Sequence, residues 1–499
     1  MTRSEVPVLI VGAGPAGLTA SLLLAHHGVP SLTVERRQAP SPLPRARGVH
    51  ARAMEILRTC GAEQAIRDHQ LVLRSGAEWR PRLDAQPVQE QITGGPTLAE
   101  VSPCEGAALS QDVFEDALRS SAEGRAGARL RSGAELVSFT VRADGVAAVL
   151  RDADGESSVR ARFLIAADGA RSGVRDRLGI PLIGADDLGG QRAISFRADL
   201  TPWVGDVPRG IYYLTGAPAV LFSTHSDARW TVSLPDLGGP AVDAITAVRE
   251  ALALSDLAVE VIAEGRWTAV ARSAERYADG PVFLVGDAAH QAPPAGATGV
   301  STALADVHNL AWKLAAVLDG RAADGLLDTY HAEREVVGRR AVAEAQAAWE
   351  VTRNPSAIPF AGRSLRQIDM GYRYASAAVI DDGSPDADGP GDYVPLADPG
   401  CRAPHLWLDG GARSTLDLFG RDVVLLTAPE GEPWRAGAPA GVVAHCVSEP
   451  EWPELYGVKA GGAVLVRPDG HVAWRSREAA EDPADVLTGA LAAVLGRAS

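Results

Sequence analysis

The sequence contains little cysteine, little lysine and no long hydrophobic run. Four cysteines occur among 499 residues, and no two of them form a Cys-x-x-Cys pair. Reduced thiols therefore fit better than a disulfide framework or a zinc site. No apolar run approaches the roughly 18 residues that cross a bilayer, and the first residues lack the basic and apolar regions of a signal peptide. We expect a cytoplasmic protein without a metal site or a membrane partner.

Positive charge is scarce relative to negative charge. The formal net charge is −15 at pH 7, and the only lysines are Lys313 and Lys459. This charge repels phosphate backbones and anionic lipid heads, so a small molecule is a better expected partner than nucleic acid or a membrane surface. A chain of this length suggests two or three domains. The sequence leaves a monomer and a homodimer open.

The beginning of the chain has the pattern of a strand, a helix and a second strand. An apolar run at 6–11 ends at Gly12, an apolar helix is predicted at 18–27, and a strand at 31–34. Between 181 and 280 the pattern changes to short alternating stretches, namely 193–199, 210–214, 219–224 and 229–234. They predict a mostly antiparallel sheet inserted into the first domain, which resumes with a buried strand at 281–285 and helices at about 302–318 and 326–349.

These changes of pattern divide the chain into three predicted domains. An α/β, Rossmann-like domain is built from 1–180 and 281–390, and the inserted sheet covers 181–280 with part of 72–105. A Gly/Asp/Pro-rich linker at 381–391 precedes a separate domain at 391–499. Its predicted elements are strands at 423–426, 441–445 and 463–466 and a terminal helix at 483–495, which Asp482 is placed to cap.

The motif Gly12-Ala13-Gly14-Pro15-Ala16-Gly17 joins the first strand to the first helix. A G-x-G-x-x-G pattern is weak by itself in a chain with 52 glycines, but this one precedes an acid, Glu35, at the end of the next strand. Gly12 allows the tight turn, Gly14 lets the backbone approach a pyrophosphate, and Gly17 lets helix and strand pack closely. Glu35, followed by Arg36, can accept hydrogen bonds from a ribose. The alternative is a Gly-rich turn that binds nothing.

A second motif, Gly286-Asp287-Ala288-Ala289-His290, follows the buried strand at 281–285. An Asp at a strand end, beside the Gly/Pro-rich loop 293–299, suits a second site on the same dinucleotide. Asp287 would bind its hydroxyl groups, and backbone amides would meet its ring. Asp287 could equally cap a helix, and His290 is more often a packed or capping residue than a base.

In this order and spacing, the motifs resemble the group A flavoprotein aromatic hydroxylases. The stretches that carry the resemblance are 12–17, 168–175, 286–290 with Pro293-Pro294, 306–314 and 327–334. Three more, 371–374, 399–405 and 465–470, are similar to members with a C-terminal thioredoxin-like domain, among them tailoring hydroxylases of aromatic polyketides. The resemblance spans nearly the whole chain. It implies an FAD-binding domain of the GR2 type with an inserted substrate sheet and a thioredoxin-like domain.

The resemblance also implies bound FAD, with NADPH or NADH and O₂ consumed. According to the resemblance, the residues that bind FAD are Glu35, Arg45, Gln111, Asp168, Asp287, and backbone amides near Gly299, Val300 and Ser301. Arg171 or Arg175 would face NAD(P)H, although capping or pairing with Glu is an alternative. The implied oxidant is a flavin C4a-hydroperoxide. Pro293, Pro294 and Gly296 suit a shield around it, because proline has no N–H and glycine allows close approach.

The chain departs from the pattern of this family at two places near these motifs. Many relatives read Gly-Gly-x-Gly and then Asn where this chain has Gly296-Ala297-Thr298-Gly299 and Ser301, which leaves backbone contacts possible. Val336 stands where relatives often carry Pro. The thioredoxin-like domain lacks Cys-x-x-Cys, so we expect it to be structural or an assembly surface rather than a dithiol enzyme.

The substrate is expected under the inserted sheet. An apolar wall could form there from Tyr212, Tyr213, Phe222, Trp230 and Trp267, with core packing as the alternative for each. The resemblance favours a polycyclic polyketide-type phenol, with a single-ring phenol as the alternative. Baeyer–Villiger oxidation and a redox-silent FAD-binding protein also stay open. A flavin-dependent halogenase is disfavoured, because the chain has no Trp-x-Trp and no suitably placed Lys.

Overall fold

The structure is a computed structural model that describes residues 3–41, 43, 46–91, 98–236, 238, 242–353, 364–385, 389 and 391–497. The strands are β1 (Arg3–Val11), β2 (Ser31–Glu35), β3 (Gly48–Val49), β4 (Arg74–Arg80), β5 (Gln89–Gln91), β6 (Ala107–Ala108), β7 (Ala128–Ser132), β8 (Glu135–Arg142), β9 (Gly145–Asp152), β10 (Gly155–Ala166), β11 (Leu182–Ala185), β12 (Gly190–Arg197), β13 (Arg209–Leu214), β14 (Ala219–His225), β15 (Arg229–Pro235), β16 (Glu260–Thr268), β17 (Ala271–Ala274), β18 (Ala278–Asp279), β19 (Val282–Leu284), β20 (His290–Gln291), β21 (Trp407–Leu408), β22 (Arg413–Ser414), β23 (Val423–Thr427), β24 (Val442–Cys446), β25 (Ala463–Val466) and β26 (Val472–Ser476). The helices are α1 (Pro15–His26), α2 (Ala51–Thr59), α3 (Glu63–Arg67), α4 (Gln111–Glu123), α5 (Gly173–Arg177), α6 (Thr201–Val204), α7 (Ala244–Leu252), α8 (Gly299–Leu318), α9 (Asp328–Arg353), α10 (Leu365–Met370), α11 (Glu432–Ala436), α12 (Trp452–Leu455) and α13 (Pro483–Val494). Within the described ranges, no helix combines the length and apolar character needed to span a bilayer.

The first sheet lies at the centre of the N-terminal part of the chain. Its main strands follow the order β18-β19-β10-β1-β2-β7, and β1 runs parallel to both β2 and β10. Val8, Leu9 and Ile10 are fully buried, because both faces of this strand are covered and both need apolar side chains. The expected strand-helix-strand opening is confirmed, although α1 begins at Pro15 rather than at residue 18.

The second sheet combines strands from two separate parts of the chain. Its order is β16-β12-β15-β14-β13-β4-β5, so that the segment 74–91 adds two strands to those from 190–268. β13 is parallel to β4 and antiparallel to β14. One face packs on α7 and forms a core of its own. We keep the three-domain division given above as a proposal, which the separate sheets support.

The third sheet belongs to the C-terminal part of the chain. Its order is β24-β23-β25-β26, with β23 parallel to β24 and antiparallel to β25. Asp482 caps α13, since its carboxylate accepts the N–H of Asp485 at 3.0 Å. This mixed four-stranded sheet with accompanying helices agrees with the thioredoxin-like domain expected from the sequence.

A buried ionic cluster joins the C-terminal domain to the long helices. It consists of Glu333 on α9, Lys313 on α8, and Arg467 and Asp469 after β25, all at most 1% exposed. Glu333 accepts two hydrogen bonds from Arg467, at 2.6 and 2.9 Å, and one from Lys313 at 2.7 Å. Burial alone would raise the pKa of Glu333, but the two cations hold that pKa well below its usual range. The cluster therefore needs each of its charges.

Replacing Glu333 by Gln should destabilise the whole protein. Arg467 and Lys313 would lose their shared anion, and breaking a buried pair in this way costs about 3–5 kcal/mol. The matched control is Glu335→Gln on the same helix, because Glu335 pairs with Arg339, whose side chain is 64% exposed. That change should cost about 0.5 kcal/mol or less. Urea unfolding of both variants measures the difference, and equal losses would contradict a structural role for the cluster.

Candidate functional site

The three glycines of the first motif meet different surroundings. A Cβ on Gly12 would lie 2.3 Å from the carbonyl oxygen of Ala167, and one on Gly17 would lie 1.9 Å from the carbonyl oxygen of Gly12. A Cβ on Gly14 would have only Glu115 Oε1 nearby, at 3.8 Å. Protein packing thus requires Gly12 and Gly17, but it leaves open space at Gly14. That space suits the close approach of a phosphate.

The N-terminus of α1 opens into this space. Gly14 precedes the helix and provides no side-chain cap, and Pro15 is the first helical residue. Uncapped N–H groups at a helix N-terminus form a site for an anion. Glu35, at the end of β2, accepts the N–H of Ala13 at 3.0 Å and that of Arg37 at 2.9 Å. Its carboxylate can accept further hydrogen bonds, so the expected contact with a ribose fits; the adjacent Arg36 is exposed.

Gln111 and Arg45 were expected along the cofactor. Gln111 opens α4, where its Oε1 accepts the N–H of Ala46 at 3.2 Å and its Nε2 donates to Glu115 at 2.7 Å. Gln111 therefore ties the 46–49 segment to α4. Arg45 lies outside the described residues.

The second motif lies against the first one. Gly286 begins a 3-10 turn after β19, and a Cβ there would lie 3.1 Å from the Cβ of Ala303 and 3.4 Å from that of Ala16. Gly286 therefore sits where α8 and α1 meet. Asp287 follows it and is exposed, which leaves its carboxylate accessible to a ligand. The structure thus brings both motifs to one end of the first sheet.

The loop 292–298 leads from the second motif into α8. Pro293 is buried and Pro294 is exposed, whereas Gly296 and Ala297 adopt left-handed conformations with φ of 79° and 52°. α8 begins at Gly299 without a side-chain cap. The N–H groups of Gly299, Val300 and Ser301 thus stand at a second helix N-terminus suited to negative charge.

Asp306 holds the second motif and α8 in place. Its carboxylate accepts the N–H of Gly286 at 3.0 Å and pairs with His290 at 2.7 Å and Arg334 at 2.8 Å. Burial alone would raise the pKa of Asp306, but the two partners lower it. His290 is 3% exposed. It packs within this network, which agrees with the interpretation of His290 as a packed or capping residue rather than a base.

The Asp168 motif forms a closed turn between β10 and α5. The carboxylate of Asp168 accepts the hydroxyl of Ser172 at 2.5 Å and the N–H of Val174 at 3.0 Å. Arg175 is buried and donates to the carbonyl of Ala288 at 3.2 Å, which links this turn to the second motif. The expected contact of Arg175 with NAD(P)H does not fit that placement. Arg171 is exposed and stays the candidate.

The expected substrate residues divide between the two faces of the inserted sheet. Tyr212 and Trp230 lie in the core under α7, where the Trp230 Nε1–H donates to the carbonyl of Ala198 at 3.1 Å. Their expected contact with substrate does not fit, because side chains alternate along a strand and these two point away from the other face. Tyr213 and Phe222 are on that other face. Trp267 is half-buried with its ring 6.2 Å from that of Trp349.

Several residues that sequence reasoning missed lie on or near this second face. Trp79 of β4 stacks on Tyr213 with ring centroids 4.7 Å apart. The guanidinium of Arg47 lies 3.2 Å from the centroid of Phe222. We name Trp79, Tyr213 and Phe222 the aromatic wall. The sequence assigned part of 72–105 to the inserted sheet, but only the pairing of β4 with β13 places Trp79 beside Tyr213.

His50 is another residue that the sequence motifs did not single out. Its backbone N–H donates to Ser301 Oγ at 3.4 Å, and its ring Nδ1 pairs with Asp369 of α10. Burial disfavours the charged ring, but the pairing with Asp369 outweighs burial and raises the pKa of His50. A His–Asp pair therefore stands beside the N-terminus of α8.

Together, the open helix N-termini, the strand-end Glu35 and the accessible Asp287 define a dinucleotide-binding flavoprotein, and the residues present fit FAD. A family model described as an FAD binding domain matches residues 5–345, and one described as the C-terminal domain of aromatic-ring hydroxylases matches residues 397–498. The chain therefore belongs to the FAD-dependent aromatic-ring hydroxylases. As the resemblance predicted, it is a monooxygenase that uses FAD, O₂ and a reduced nicotinamide cosubstrate.

Individual relatives match the chain over nearly its whole length. It is 39% identical to a tetracenomycin B2 monooxygenase-dioxygenase of Streptomyces olivaceus, with 100% of both chains covered. It is 38% identical to a 4-methyl-5-nitrocatechol 5-monooxygenase of Burkholderia sp, with 99% of this chain and 98% of that one covered. A solved ternary complex of aklavinone-11 hydroxylase with FAD and aklavinone has a TM-score of 0.90 and 35% identity, with 100% of both chains covered.

Replacing Gly14 by alanine should affect FAD binding, whereas replacing Gly17 by alanine should affect stability. Gly14→Ala should fold, because the protein leaves room for the methyl group, but FAD affinity should fall by about tenfold or more if a pyrophosphate occupies that space. Gly17→Ala should lower the melting temperature, since its Cβ would clash with the carbonyl of Gly12. Fluorescence titration with FAD and thermal unfolding measure the two effects. Wild-type FAD affinity in Gly14→Ala would place the pyrophosphate elsewhere.

Ala297→Gly should stabilise the loop 292–298. Ala297 has a φ of 52°, a left-handed conformation that costs a residue with a Cβ about 1–2 kcal/mol. Glycine removes that strain but loses more entropy on folding, so a net gain of about 0.5–1 kcal/mol is expected. The control, Ala332→Gly at an exposed position in α9, should instead lose about 1 kcal/mol. Thermal unfolding measures the stability of both variants, and a loss of stability in both would show that Ala297 is not strained.

Proposed function

We propose that this monooxygenase hydroxylates a polycyclic aromatic phenol of the polyketide type. The observation that carries the proposal is the aromatic wall, which lies on the face of the inserted sheet opposite its own core. A flat aromatic surface suits a fused-ring substrate, which gains from both apolar burial and offset stacking. Two similar proteins are named for action on, or a complex with, tetracenomycin B2 and aklavinone, and these names support the same substrate class.

We assign the cofactor contacts from the geometry of the two motifs. The turn 12–17 and the N-terminus of α1 would hold the pyrophosphate, Glu35 the ribose and Asp287 the ribityl hydroxyls. The N–H groups of Gly299, Val300 and Ser301 would face the ring system. When bound and reduced by NADPH or NADH, FAD supplies the activation of O₂ that delivers one oxygen atom to the substrate ring.

The protein's own contribution is positioning, charge and exclusion of water. Pro293 and Pro294 have no N–H and cannot donate a proton, and Gly296 lets the backbone approach closely. The loop 292–298 is therefore suited to shielding the reaction from water. The N-terminus of α8 stabilises negative charge that develops beside it. The aromatic wall would hold the substrate ring in a fixed plane, and the exposed Arg171 is the candidate for NAD(P)H.

Composition and net charge bear on where the enzyme acts and on its partners. We propose that the enzyme acts in the cytoplasm, as a monomer or a homodimer, without a nucleic-acid partner. Cys60 and Cys104 are buried free thiols, which suits a reducing compartment. The net charge of −15 disfavours binding to a phosphate backbone.

The proposed function predicts that the substrate controls flavin reduction. Anaerobic stopped-flow absorbance of the FAD-loaded enzyme should show faster reduction by NADPH or NADH when a polycyclic phenol is bound. After mixing with ¹⁸O₂, mass spectrometry should find one labelled oxygen atom in the product as a new ring hydroxyl. A matched panel of fused-ring and single-ring phenols identifies the substrate class.

Each other outcome points to a different function. Acceleration by single-ring phenols alone would overturn the polycyclic assignment. A labelled oxygen in an ester or lactone would identify Baeyer–Villiger oxidation instead of hydroxylation. No flavin reduction with any cosubstrate or phenol would leave a redox-silent FAD-binding protein.

A further inference from the structure

Arg47 occupies an unusual place between the FAD-binding domain and the inserted sheet. Its backbone is fixed, because its carbonyl accepts the N–H of Leu109 at 3.1 Å and the next two residues form β3, paired with β6. Its side chain reaches the face of the sheet that carries the aromatic wall. There the guanidinium lies 3.2 Å from the ring centroid of Phe222, a cation–π contact. The charge therefore stands where the proposed substrate binds.

The guanidinium of Arg47 has no acid to neutralise it among the described residues. Two arginines of the inserted sheet, by contrast, are paired with acids: Arg209 with Glu78 and Glu90, and Arg229 with Asp112. No hydrogen bond of the Arg47 side chain joins it to any described group, although a guanidinium offers five N–H donors. Arg47 is half-buried, and burial lowers its pKa to about 10. It nevertheless stays charged at neutral pH.

Partial burial removes some of the water around this cation, and an anionic ligand would replace the lost hydration. The contact with Phe222 is a cation–π interaction, and the planar fork of N–H donors makes no hydrogen bond to a described group. Such a fork matches two oxygen atoms side by side, as in a carboxylate, or a phenolate beside a carbonyl or hydroxyl oxygen. Fused-ring phenols with neighbouring oxygen substituents present this pattern at the edge of a flat molecule.

We propose that Arg47 is the anion-binding residue of the substrate site and pairs with an anionic oxygen, a phenolate or a carboxylate, at the edge of the fused-ring substrate. The proposal rests on the proposed function, because it places the substrate along the aromatic wall. It adds that the substrate binds as an anion. Arg47 thus selects acidic fused-ring compounds over neutral ones of the same shape.

Equilibrium binding to the oxidised, FAD-loaded enzyme tests this without turnover. The probes are 9,10-anthraquinone, which is neutral, anthraquinone-2-carboxylate, and 1,2-dihydroxyanthraquinone at mildly alkaline pH, where it is a phenolate. Perturbation of the flavin absorbance reports the dissociation constants. Wild-type enzyme should bind at least one of the two anions about tenfold or more tightly than the neutral compound. Comparison of the two anions distinguishes a carboxylate from a phenolate.

Arg47→Met keeps an apolar side chain of similar length and removes the charge. Its affinity for the preferred anion should fall about 10- to 100-fold, while its affinity for neutral anthraquinone and its FAD content stay unchanged. Arg47→Lys should retain part of the preference, because it keeps the charge without the planar fork. The control is Arg129→Met, which removes an exposed arginine on β7 and should leave the preference intact.

Three results would overturn this proposal alone. Arg47→Met could keep the full preference for anions, or wild type could bind all three probes equally. A melting temperature lowered in Arg47→Met together with weaker binding of the neutral probe would show that Arg47 only supports the fold. These results are separate from failure of the proposed function, since a hydroxylase could turn over fused-ring phenols without any role for Arg47. Failure of all three probes to bind would reject the fused-ring substrate class and this inference together.

Discussion

Close packing of α1 and α8 over the end of the first sheet is the constraint on which the site depends. Gly12, Gly17 and Gly286 occupy places where a Cβ would meet backbone or a neighbouring alanine. This contact draws the two motifs together although they are more than 250 residues apart. Neither helix has a side-chain cap at its N-terminus. A site for a dinucleotide therefore follows from how tightly two helices pack on parallel strands.

Buried ion pairs connect the two motifs to α9 and to the C-terminal domain. Asp306 joins the second motif to Arg334 of α9, and the adjacent Glu333 pairs with Arg467 of the C-terminal domain. A fully buried charge needs a partner, and here α8, α9 and the C-terminal domain supply charges that pair with one another. Arg467 thus gives the C-terminal domain a buried ionic contact with α9.

The proposed substrate face depends on a different rule, the alternation of side chains along a strand. Tyr212 and Tyr213 are neighbours in sequence, yet one enters the core under α7 and the other joins the aromatic wall. Trp79 reaches the same wall from β4, which pairs with β13. Arg47 approaches it from the FAD-binding domain. The proposed substrate site would thus combine three segments of the chain, none of which contains a recognisable substrate motif.

Local features allowed the sequence to determine the order of strands and helices, the glycine motifs and the family. Tight turns and apolar periodicity are properties of neighbouring residues, so they can be read without tertiary structure. Helix starts were less accurate: α1 and α8 begin at Pro15 and Gly299 rather than at residues 18 and 302, because the first turn shows no periodicity. Only the tertiary structure decided that Arg175 is a link between two turns, that Trp230 is core, and that Arg47 stands beside Phe222. These facts depend on which face of a strand is covered and on contacts between distant segments, and a one-dimensional pattern contains neither.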